Sequence, residues 1–153
     1  MSSLSILVRD LRGKGIHRLF TCEAANSTER LQNVGYERVD NGFLGHGFNG
    51  VVYLARPLKS DARSVRVAIK EISVHDDSKR WFSEVNSSFK VQNVPHTVRF
   101  IEAFFDPVAQ RGNLVFEFCE GGDLLQLLKA RLREPTFTSL PETVLRIWAA
   151  QML

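Results

Sequence analysis

Three glycines and one lysine narrow the fold of this chain more than any other residues. Leu44-Gly45-His46-Gly47-Phe48-Asn49-Gly50-Val51-Val52 sets its glycines in a G-x-G-x-x-G-x-V pattern, and Val67-Ala68-Ile69-Lys70 follows downstream. Glycine has no Cβ, so it reaches positive φ and lets a backbone come close to a ligand. Successive N–H groups in such a turn make a concave surface suited to phosphate. The plain alternative is a tight hairpin that holds no ligand. Two other phosphate motifs are excluded. A Walker loop needs Lys-Ser or Lys-Thr after its last glycine, and Gly50 is followed by Val51 and Val52. A dinucleotide fold needs a helix there, whereas Val51-Val52-Tyr53-Leu54-Ala55 is β-branched and aromatic and reads as strand.

The surrounding pattern gives the order of elements. Tyr36 to Leu44 enters the loop, Val51 to Arg56 leaves it, and Val65 to Ile72 is a third strand with Val65, Val67 and Ile69 on one face. Pro57 and Lys59-Ser60-Asp61 mark the turn between the last two. Ser78 to Gln92 reads as a helix with Val85, Phe89 and Gln92 near one face. Val98 to Phe105 and Asn113 to Phe118 read as a hairpin around Asp106-Pro107 and Arg111-Gly112. Leu124 to Arg133 and Pro141 to Leu153 are helical, with Ser139 to Glu142 as a capping box for the second.

At 153 residues the chain is about one domain in size. Its net charge of +3 is mild, and its basic residues form no long run of the kind that binds nucleic acid. No stretch of about 18 apolar residues predicts a membrane span. Cys22 and Cys119 form no C-x-x-C and no disulfide framework, which fits a reducing compartment, the cytoplasm or the nucleus. In the first 35 residues, Leu4, Ile6, Leu7, Val8 and Leu11 precede Arg12, Lys14 and Arg18, the reverse of a secretory signal. That stretch is read as an extension packing on or flanking the folded part, with a mitochondrial presequence as the alternative.

The glycine loop, the V-A-I-K strand end and the order of elements resemble the eukaryotic protein kinases. The resemblance implies an α+β fold: a kinase small lobe with a five-stranded antiparallel sheet and one packed helix over 36–116. A hinge over 117–123 and two helices of an incomplete large lobe over 124–153 would follow. It implies that ATP sits under the loop, with Gly45, His46, Gly47, Phe48, Asn49 and Gly50 around its phosphates and Phe48 capping them at the tip. Leu44, Val52 and Ala68 would sandwich the base. Lys70 would contact the α- and β-phosphates and pair with a glutamate of the next helix. Glu84 is the candidate, as the only acidic residue between Ser78 and Val94.

Phe116-Glu117-Phe118-Cys119-Glu120-Gly121-Gly122-Asp123 is similar to a kinase hinge. By that likeness Phe116 stands behind the adenine, Glu117 offers its carbonyl and Cys119 its N–H. Asp123 would accept from the ribose hydroxyls, or serve as a helix N-cap, or both. The hinge and Leu140-Pro141-Glu142-x-Val144-Leu145-Arg146 look most like NIMA-related and neighbouring serine/threonine kinases.

The chain reaches Leu153 without a His-Arg-Asp catalytic loop or an Asp-Phe-Gly, the segments that would hold the catalytic aspartate and the magnesium ligands. The expectation is therefore the ATP-binding part of a kinase that phosphorylates protein hydroxyls when complete, inactive by itself. It carries no metal ligands of its own, and magnesium is expected only in the complete enzyme. The alternative is an inactive, kinase-like binding or scaffold fragment. Leu145, Trp148, Ala149 and Met152 share one face of the last helix, so the segment from Pro141 onward is expected to be either poorly ordered or the site of self-association.

Overall fold

A computed structural model describes residues 31–47, 50–59, 65–74, 78–106, 108–134 and 139–152. The strands are β1 Tyr36–Gly47, β2 Gly50–Pro57, β3 Val67–Ser73, β4 Phe100–Asp106 and β5 Arg111–Glu117. The helices are α1 Ser78–Val91, α2 Leu124–Arg131 and α3 Glu142–Met152. The strands form one sheet in the order β1-β2-β3-β5-β4, every neighbouring pair antiparallel. This is the α+β kinase small-lobe fold that the sequence predicts. The chain divides into two compact units. The first runs to Asn93 and resumes over Val98–Phe118; the second holds Val94–Thr97 and Cys119 onward.

Alternation along the strands gives the first unit an apolar core on each face of its sheet. On one face, Ile72 of β3, Leu114 of β5 and Phe100, Ala103 and Phe105 of β4 pack with Trp81, Phe82 and Val85 of α1. Phe89 joins from the next turn, so α1 lays its apolar stripe on the sheet, and Ser87 on the same helix is exposed. On the other face, Tyr53, Ala55, Val67, Ile69, Phe104 and Val115 pack with Tyr36, Leu31 and Val34. Leu31 and Val34 belong to the segment that the sequence reads as an N-terminal extension, yet both are buried in this core. Residues 1–30 lie outside the described part.

Several boundaries differ from the sequence reading for local reasons. Val65 precedes β3 and is 41% exposed, because the β2 ladder ends where Ala55 meets Val67. Pairing with β2 carries β1 on through its glycines to Gly47. Arg111 and Gly112 lie inside β5 rather than in the turn. That turn is built by Asp106, whose Oδ1 accepts the N–H groups of Val108 and Ala109 at 3.0 and 2.9 Å. Helix α3 starts at Glu142, where the Pro141 carbonyl takes the N–H groups of Val144 and Leu145, so Ser139 stands ahead of the cap position.

The second face of the sheet also holds an ionic group. The Arg38 guanidinium lies 3.6 Å from the Tyr53 ring centroid, and Glu71 is flanked by Arg38 at 3.7 Å and by Arg111. Burial pushes the Tyr53 phenol above its ordinary range, against the lowering effect of the Arg38 hydrogen bond; the Glu71 charge raises it further. On raising the pH through about 10, the unfolded chain loses this proton before the folded one does, so stability falls with rising pH. Urea midpoints measured between about pH 9 and 11 should decline less for Tyr53→Phe than for the parent chain. Equal declines would show that the phenol is not linked to folding.

Candidate functional site

Register puts four of the predicted residues of the first unit, Val52, Ala68, Lys70 and Phe116, on one face of the sheet. Lys70 lies opposite Val52 of β2 and Leu114 of β5, and Ala68 lies opposite Leu54 and Phe116. Directly opposed residues share a face, as do alternate residues along a strand, so Val52, Ala68, Lys70 and Phe116 all look towards the α1 side. Lys70 Nζ donates to Glu84 Oε1 of α1, and the two side chains are 24% and 22% exposed. A part-buried ammonium beside an apolar core requires an anionic neighbour, and Glu84 supplies it. The polar run Asn86-Ser87-Ser88 does not disturb the pair, because α1 seats on the sheet through Trp81, Phe82, Val85 and Phe89.

The glycine loop closes β1 onto β2. Gly45 pairs with Val52, His46 with Val51 and Gly47 with Gly50. Leu44 is the extra residue of a bulge, since Phe43 faces Tyr53 and Gly45 faces the next residue, Val52. His46 is exposed, with its ring centroid 6.5 Å from that of Phe43. Phe48 and Asn49 at the tip lie outside the described residues. The glycines divide into two kinds. Gly50 has φ +147°, and a Cβ there would fall 2.1 Å from the Glu71 carbonyl oxygen. Around Gly45 and Gly47 a Cβ would meet nothing within 4 Å. Packing therefore requires glycine at 50 and leaves 45 and 47 lining open space.

Phe116 is half-buried, packs on the α1-side core and sits edge-on to Phe100 with ring centroids 5.7 Å apart. Glu117 is tied to Arg99 twice: its N–H donates to the Arg99 carbonyl at 3.0 Å, and its Oε1 accepts the Arg99 N–H at 2.8 Å.

In the second unit, Cys119 is exposed, and its carbonyl accepts the Gly122 N–H at 3.2 Å. Gly122 has φ +70°, which suits the end of this turn. Asp123 is the N-cap of α2, with Oδ1 accepting the Gln126 N–H at 2.6 Å. The capping alternative is thus realised, and a carboxylate can take further donors. Asp123 also lines a cavity of about 530 Å³ within this unit, together with His96, Leu124, Leu127, Trp148 and Met152.

The sequence reading missed Trp81 and Gly112. A Trp-Phe pair in the first turn of a predicted helix was a usable signal for the first. A glycine beside a turn reads as a turn residue, which hid the second.

Among the described residues, no group of three or more His, Cys, Asp or Glu side chains is placed to hold a metal ion. No helix among them is long and apolar enough to cross a membrane. A family model for protein tyrosine and serine/threonine kinases matches residues 40–152, from within β1 to the end of α3. This chain belongs to the protein kinase family. No curated protein matches it.

Proposed function

We propose that this chain is the ATP-binding portion of a protein serine/threonine kinase, whose complete form transfers a phosphoryl group from ATP to protein hydroxyls. The observation that carries the reading is the Lys70–Glu84 pair on the sheet face shared with Val52 and Ala68, alongside a loop whose Gly45 and Gly47 leave room that packing does not require. Lys70 contacts the α- and β-phosphates, and Glu84 holds its ammonium in place. The loop N–H groups of residues 45 to 50 cradle the phosphates. Leu44, Val52 and Ala68 cover the base, Phe116 stands behind it, and the Glu117 carbonyl and Cys119 N–H meet its edge. Asp123 accepts from the ribose while capping α2. The serine/threonine assignment rests on the NIMA-like hinge and the Leu140 to Arg146 stretch. An exposed thiol at Cys119 favours a reducing compartment, the cytoplasm or nucleus. We also infer that α3 brings copies of the isolated chain together.

The test is an ATP titration of the chain followed by NMR, with product analysis in the same samples. The parent should bind weakly and form no phosphorylated product. Lys70→Met removes the charge and keeps most of the aliphatic stem, and should weaken binding at least about tenfold, the loss of one charge-assisted contact. Glu84→Gln should cost less. Equal affinity in parent and Lys70→Met would remove Lys70 from the site, and turnover by the parent would overturn its inactivity.

A further inference from the structure

We propose that Trp81 is a positioning residue for the Lys70–Glu84 pair: its indole, seated in the notch that Gly112 leaves in β5, sets how α1 is placed on the sheet. This deepens the reading of the Lys70 site as a nucleotide site, and rests on it for what the pair is used for. The seat itself rests on geometry.

Gly112 is the starting point. Glycine inside a strand weakens the strand, so it needs a reason. Backbone conformation does not give one, because Gly112 is not among the positive-φ glycines. Close approach does. A Cβ at Gly112 would fall 2.3 Å from Trp81 Cδ1, 2.4 Å from Cγ and 2.5 Å from Nε1. The pyrrole edge of the indole therefore occupies the space a side chain would take. Trp81 is 1% exposed, and its Nε1 is buried with no hydrogen-bond partner. An unpaired buried donor is a cost, so the indole is not held there by its N–H. What it contributes is a broad flat plate that fills the notch.

The placement of the notch matters for Lys70. Gly112 lies opposite Ile72 of β3 and Phe105 of β4, and the Trp81 ring centroid is 5.8 Å from that of Phe105. The next row on the same face is Lys70, Leu114 and Ala103. Trp81 seats in the first row, and Glu84, three residues further along α1, reaches Lys70 in the second. Residues three apart share a helix face, so the two contacts are made together. A slip of one residue turns the helix by about 100° and takes Glu84 away from Lys70. Phe82, Val85 and Phe89 are packed against the same core, and apolar contacts of this kind repack readily. A plate held in a single notch has one seat.

The experiment measures how fast an amine-reactive ester labels Lys70 in the full chain without nucleotide, by mass spectrometry, with exposed Lys129 as internal reference. Glu84→Gln sets the rate for an unpaired Lys70. Gly112→Ala should lose the protection of Lys70 as fully as Glu84→Gln does, with Lys129 unchanged. A purely structural role would lower the melting temperature of Gly112→Ala and leave the Lys70 rate at the parent value, which would overturn the proposal. Where Gly112→Ala shows no cooperative melt, Trp81→Phe alone decides: partial loss of protection supports the seat, and parent-like protection refutes it. Because no nucleotide is present, failure of the ATP titration leaves this result standing, and a failure here leaves that titration standing.

Discussion

Gly50→Ala is expected to destabilise the first unit by about 3 kcal/mol or more, the largest effect of any single substitution in the glycine loop. Two costs add. At φ +147° an alanine sits in a region that L side chains rarely adopt, at about 1–3 kcal/mol. Its Cβ would also lie 2.1 Å from the Glu71 carbonyl oxygen and 3.0 Å from the Glu71 carbonyl carbon, both backbone atoms of β3. Relief requires moving β2 away from β3 at the end of their ladder, where Val51 pairs with Glu71. Against a typical total stability of about 5–15 kcal/mol, that is a large fraction. Gly45→Ala and Gly47→Ala meet nothing and should stay within about 1 kcal/mol of the parent in urea unfolding. Their effect should appear in the ATP titration instead, since a methyl there enters the space proposed for the phosphates. Parent-like stability of Gly50→Ala would refute the argument from close approach.

What the sequence makes legible here depends on whether a signal is local. Alternation of Val67 and Ile69 along the third strand is local, and it places that strand and its face correctly, though not Val65 ahead of it. Glu84 as the partner of Lys70 follows from counting acids on one helix, and the pair forms. The seat of α1 is different. Trp81 and Gly112 are distant in the chain, and neither residue has meaning until β5 is placed under the helix. The same holds for Leu31 and Val34, whose burial depends on the second face of a sheet assembled from five separate segments. Asp123 was ambiguous for another reason: one carboxylate serves a cap and a ligand equally well, and only the cap contact lies within the chain.

Deleting residues 141 to 153 should raise the monomer fraction of the purified chain and leave the sheet folded. In the second unit no described side chain is buried. On α3, Leu145, Ile147 and Met152 are 45%, 57% and 79% exposed, and Leu124, Leu125 and Leu132 are exposed in and just after α2. Fully burying one such side chain is worth about 1.5–3 kcal/mol, so this surface gains substantially from any apolar cover. A helix of 11 residues is marginal in water without that cover. In a purified solution the available polypeptide is a second copy of the chain. The sheet should tolerate the deletion, because both of its cores are built from residues up to Phe116 and none from α3. Size-exclusion chromatography with light scattering should show a smaller mass for the deletion variant than for the parent at equal concentration, with an unchanged far-UV signature of the strands. A parent that is fully monomeric, with slow amide exchange throughout α3, would show that the helix is stable without a partner copy. The drive to associate would then be absent despite the exposed apolar area.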